Sequence, residues 1–104
     1  MAFTGNEGSS IEMERAIALT RNYREANPQQ VLSCFLGRDI LQALLDQGGS
    51  KGIRFYYGLD GGVSQLVAVS ANEAEDDQLD AGYLVADEGV LGPPRCGRAN
   101  KLNS

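Results

Sequence analysis

The chain has 104 residues, of which 42% are hydrophobic and 22% charged, and its formal net charge is -5. That length is one domain able to bury about two thirds of its unfolded surface, and the composition argues against general disorder. Nine basic residues, scattered among fourteen acidic ones, disfavour a nucleic-acid or anionic-membrane partner. The absence of histidine removes Ser-His-Asp, Cys-His and most zinc chemistry.

Met1 to about residue 9 are rich in Gly, Asn and Ser and are expected to be a flexible, frayed segment. Without a basic n-region or an apolar h-region this segment is not a secretory signal. No run reaches the ~18 apolar residues of a membrane span. A capping box at Ser9-Ser10-Ile11-Glu12 predicts the start of the first helix. Met13, Ala16, Ile17, Thr20 and Tyr23 then give it one mostly apolar stripe. Pro28 disfavours helical geometry in the residue before it, so this helix stops by Asn27. Asn27-Pro28-Gln29-Gln30 reads as the start of a short helix. Val31 to Leu36 fits either a helical turn or a short buried strand, broken by Gly37.

Ile40, Leu41, Leu44 and Leu45 mark a second helix over 38–47, with Asp39 in its favourable first turn and Gly48-Gly49 as a left-handed C-terminal cap. The stretch GIRFYYGLDGGVSQLVAV, residues 52–69, is a β-hairpin signal: two apolar runs around Leu-Asp-Gly-Gly. A three-residue loop at Asp60-Gly61-Gly62 with a glycine bulge is preferred. It would place Ile53, Phe55 and Tyr57 with Gln65, Val67 and Val69, whereas a two- or four-residue loop would place them with Leu66 and Ala68. In either register Leu66 to Val69 is apolar on both faces, which predicts a strand covered on both sides. Asn72 to Asp80, with five acidic residues, reads as an exposed loop. Gly82 to Ala86 is a plausible third strand, and from Gly89 onward the chain is expected to be irregular.

Four pieces in order carry a resemblance: Leu19-Thr20-x-x-Tyr23-Arg24, Phe35-Leu36-Gly37-Arg38-Asp39-Ile40, Gly52-Ile53-Arg54-Phe55-Tyr56-Tyr57-Gly58, and Pro93-Pro94-x-Cys96-Gly97-x-x-Asn100-x-Leu102-Asn103. With these the chain resembles a family of small uncharacterised bacterial proteins, over most of residues 10–103. The resemblance bears on fold boundaries and implies no activity. In that family the tail often looks like Cys-Pro-Pro-x-Cys-Gly. Here Gly92 stands in the first position, so a metal or redox pair at the tail would have to recruit Cys34.

The candidate functional residues are few. Arg54 alternates with Ile53 and Phe55 and shares a face with Tyr56. Together with Tyr57 they are candidates for ligand binding, through a bidentate clamp on a carboxylate or phosphate, or for an interface. Cys96, with Arg95 and Arg98 beside it, is a redox candidate, because neighbouring positive charge raises thiol reactivity; its plainer reading is a small residue packing a turn. Cys34 lies in an apolar run and reads as core. Two cysteines are too few for a disulfide scaffold and point to a cytoplasmic protein with free thiols. The acidic run Glu73, Glu75, Asp76, Asp77, Asp80 lacks calcium-loop spacing and reads as solvated, so no metal site is nominated. Gly58 to Gly62 is turn chemistry rather than a phosphate loop, and Ser33, Ser64 and Ser70 lack an activating base.

The expectation is therefore an α+β domain over residues 10–91, followed by an irregular tail over 92–104. Two main helices pack on an antiparallel sheet of about three strands that contains the hairpin. The function expected is a non-enzymatic interaction or assembly module that homodimerises, without a cofactor. The alternatives are a small-molecule or anion binder centred on residues 53–57, or a thiol redox protein using Cys96.

Overall fold

The computed structural model describes residues 2–104, and the expectation for Met1 lies outside them. The element order is α1 (Met13–Ala26), β1 (Ser33–Phe35), α2 (Arg38–Leu45), β2 (Gly52–Asp60), β3 (Val63–Ala71), β4 (Val85–Ala86) and β5 (Val90–Gly92). The fold is α+β: two helices and two antiparallel sheets, one of order β2-β3-β4 and one of β1 with β5.

α1 begins at Met13 with Glu12 as N-cap and no capping side chain, so the predicted capping box does not form; its serines lie upstream of the helix. The helix ends at Asn27 as expected, where the Asn27 N–H donates to the Tyr23 carbonyl at 2.9 Å. Residues 27–30 form a turn rather than a second helix: Gln29 takes a positive φ of 72° and the Gln30 N–H closes back on the Asn27 carbonyl. The ambiguous segment 31–36 resolves as strand β1. Its partner is β5, so Val90–Gly92 departs from the irregular tail that was expected, with Ser33 opposite Gly92 and Phe35 opposite Val90. Gly and Pro around these residues masked the pairing, because β1 supplies hydrogen bonds that no local pattern records.

The hairpin corrects the preferred register. Asp60 pairs directly with Val63, leaving a two-residue loop of Gly61 and Gly62, both at positive φ (57° and 83°). Two glycines permit the turn whose twist matches the flanking strands, so no bulge is needed. Ile53, Phe55 and Tyr57 thus share a face with Ser70, Ala68 and Leu66, and Arg54 and Tyr56 share the other with Val69 and Val67. The third strand is shorter than 82–86: only Val85 and Ala86 pair with β3.

α2 packs on the Ile53 side of the sheet. Leu44 is 0% exposed against Ala68 and Ala86, with Leu36, Ile40 and Ile53 packed around them. The opposite face of β3 is also covered: Val69 and Ala71 are buried. The core is small. No residue of α1 is buried, and Ala16, Ile17 and Thr20 of its stripe are only half-covered. The accessible surface is 7724 Å², whereas a compact monomer of 11.1 kDa exposes about 5,700 Å². The radius of gyration, 15.4 Å, likewise exceeds the about 13 Å of a compact domain this long. Among the described residues no helix is long and apolar enough to cross a membrane.

Candidate functional site

Strand alternation separates the three residues nominated on β2. Arg54 and Tyr56 point to the face opposite α2, while Tyr57 points to the α2 side and is 94% exposed. Above Arg54 the acidic loop folds back. Asp77 bridges to Ala71 at the end of β3 and receives both side chains: Arg54 Nη1 donates to Oδ1 at 2.5 Å and the Tyr56 hydroxyl donates to Oδ2. Arg54 Nη1 also donates to the Glu75 carbonyl at 3.2 Å, and the Phe3 ring lies 5.4 Å from the guanidinium carbon. Phe3 is held by its N–H donating to the Glu73 carbonyl at 3.0 Å.

These bonds set the charges. The Tyr56 hydroxyl, aided by Arg54, holds the Asp77 carboxyl below its usual range, against desolvation. Asp77 in turn raises Tyr56, because the neutral phenol is the form that donates, and raises Arg54 by stabilising its cation. The Arg54 cation is therefore already neutralised by a carboxylate. What the arrangement does is fasten the 72–80 loop to the sheet.

A second polar network holds the other end of that loop. Gln78 and Ser70 are buried: the Ser70 hydroxyl donates to Gln78 Oε1 at 2.6 Å and accepts from Gln47 Nε2 at 2.8 Å. Gln78 Nε2 and the Tyr83 hydroxyl both donate to the Gly48 carbonyl, and the Leu84 N–H donates to Gln47 Oε1 at 2.6 Å. Among the described residues no buried side-chain polar atom lacks a partner. The loop read as solvated is thus pinned to the sheet by Asp77 and Gln78. Neither residue carries a sequence signal for this: Asp77 acquires its role from Arg54 and Tyr56, more than twenty residues away, and Gln78 from Ser70 and the distant Gly48 carbonyl.

The outer edge of β2 is open. The Ser70 carbonyl accepts from the Gln78 N–H at 2.9 Å on the side away from β2. In an antiparallel ladder main-chain groups alternate between facing the partner and facing away. Ile53, opposite Ser70, therefore turns its N–H and C=O outward, as do Phe55, Tyr57 and Leu59. The register runs without interruption over all nine residues, and β2 is the outer strand. No proline or bulge guards it, and Leu59 is 76% exposed beside Tyr57.

Cys34 and Cys96 are both free and half-buried. Cys96 lies against β5: a Cβ built on Gly92 would stand 3.1 Å from its sulfur, and its carbonyl accepts from Asn103 Nδ2 at 3.2 Å. Among the described residues no group of three or more Cys, Asp or Glu side chains is placed to hold a metal ion. The last feature is a groove of about 350 Å³ between α1 and the hairpin end of the sheet, unforeseen because the α1 stripe reads as core.

No protein-family model, curated protein or solved structure matches the chain.

Proposed function

We propose that the protein is a non-enzymatic assembly module in which two copies pair through the outer edges of β2. The observation that supports this reading most is the unguarded nine-residue edge with Phe55, Tyr57 and Leu59 exposed beside it. The surface excess supports it as well. The roughly 2,000 Å² above a compact monomer exceeds the about 800 Å² that each partner of a standard interface buries.

Antiparallel pairing about a two-fold axis at Tyr57 is self-complementary. It sets Tyr57 opposite Tyr57 of the second copy and Phe55 opposite Leu59, all with outward main-chain groups. The anion-binding alternative centred on Arg54 has less support, because Asp77 already occupies that guanidinium.

Sedimentation at tens of micromolar protein should give a mass of twice 11.1 kDa. Tyr57→Lys, which sets two like charges directly opposite each other at the two-fold axis, should give the monomer without loss of secondary structure. A wild-type monomer overturns dimerisation, and a Tyr57→Lys dimer overturns the β2 edge as the interface.

A further inference from the structure

The groove beside α1 has its own chemistry and meets the β2 edge only at Tyr57. Leu19 and Tyr23 of α1 line one side; Leu66 of β3, Leu91 of β5, Leu32 and Val31 are among the apolar residues that line the rest. Its volume of about 350 Å³ equals on the order of ten waters, and it falls within the range of small-molecule sites, which are mostly apolar with a few convergent polar groups.

Arg24 is the only charged residue that lines it. Its Nη1 donates to the Leu102 carbonyl at 2.7 Å, which ties the guanidinium to the rim of the groove. Among the described residues the single ion pair is Arg54 with Asp77, so no carboxylate of the chain neutralises Arg24. A guanidinium has five N–H donors in a fork matched to a carboxylate, and only this one bond to a carbonyl is made. Ser33 and Ser64 also line the groove, and among the described residues their side chains make no hydrogen bond within the chain. A hydrocarbon-walled groove with one tethered, unneutralised cation at its rim fits a ligand with an apolar body and one anionic head.

We propose that this groove binds a small apolar monocarboxylate of on the order of ten non-hydrogen atoms. Its tail lies between Leu19, Tyr23 and Leu66, and its carboxylate sits on Arg24.

Amide NMR titration of the full chain with sodium octanoate, beside octanol and octylamine, tests this. Octanoate at millimolar concentration should shift the amides of Leu19, Tyr23 and Leu66 and raise the melting temperature. Octanol should bind more weakly and octylamine weakest. Arg24→Gln should weaken octanoate about tenfold, the effect of losing a charged hydrogen bond, and leave octanol unchanged. Leu19→Glu, at an exposed helical position, should abolish octanoate binding while the remaining spectrum stays that of the folded chain. No octanoate binding by the wild type overturns the proposal. So do shifts confined to other surfaces, or an Arg24→Gln protein that binds octanoate as the wild type does. Because the titration reads the groove directly, it is decided whether or not the chain dimerises.

Discussion

Leu44→Ala and Leu45→Ala are adjacent substitutions on one helix with opposite consequences. Leu44 is 0% exposed between Ala68 and Ala86 of neighbouring strands, whereas Leu45 is 46% exposed. Removing the outer carbons of Leu44 loses about 2–2.5 kcal/mol of transfer free energy at about 0.8 per carbon. The two alanines facing the vacancy have no side chain to swing into it, so only Leu36, Ile40 and Ile53 can close the gap. Adding a residual cavity gives a total of about 3–4 kcal/mol, inside the range of measured Leu→Ala core substitutions. For a domain of this length that lowers Tm by about 12–24 °C. At Leu45 the expected loss is below about 1 kcal/mol, and the change in helix propensity is the same for both, so the difference isolates burial. Urea denaturation followed by far-UV circular dichroism measures it, since the chain has no tryptophan. Both variants are compared at one protein concentration, because assembly would make stability concentration-dependent. Equal denaturation midpoints with equal slopes would refute Leu44 as the centre of the core.

Asp77→Asn should destabilise the protein at neutral pH, with the difference from wild type shrinking as pH falls below the ordinary carboxylate value of 3.8. A carboxyl whose pKa is depressed by folding adds stability above its unfolded pKa and loses it as pH falls through the folded one. Thermal melts at pH 7 and at successively lower pH check this, and a constant difference would contradict it. Ser70→Ala should cost about 1–3 kcal/mol, because Gln47 Nε2 and the buried Gln78 Oε1 both lose their partner; chemical denaturation reads the loss. Gly89→Ala should cost about 1–3 kcal/mol, because a Cβ there collides with the Cys34 sulfur and stands 3.1 Å from the Phe35 carbonyl oxygen. Gly58→Ala meets nothing within 4 Å and should be neutral or mildly stabilising, so the pair separates steric collision from strand propensity.

The two helices and the hairpin were legible because each carries its signal within a few residues. The apolar repeat of residues 40–45 places Leu44 inward, and Pro28 with Asn27 ends α1 where the stripe stops. The candidate site was legible only in part. That Arg54 and Tyr56 share a face follows from strand alternation alone. That both converge on Asp77 does not, because one acidic residue in a run of five is indistinguishable from its neighbours until the loop folds over the sheet. The α1 stripe was visible too, but a stripe gives no account of how completely it is covered. Here it is half-covered and borders a groove.

By itself the sequence determined the α+β class, both helices and a hairpin turning within residues 60–62, all consequences of composition or of interactions within one turn of chain. The tertiary structure decided the hairpin register, the pairing of β1 with β5, the fastening of the acidic loop through Asp77 and Gln78, and the groove. Each of those requires closing a long stretch of chain onto a partner chosen from everything else present. The loop-closure entropy grows only slowly with the length enclosed, so many closures cost nearly the same and local pattern does not choose among them. The choice falls to packing: where Leu44, Ala68 and Ala86 meet, the rest of the chain has to follow.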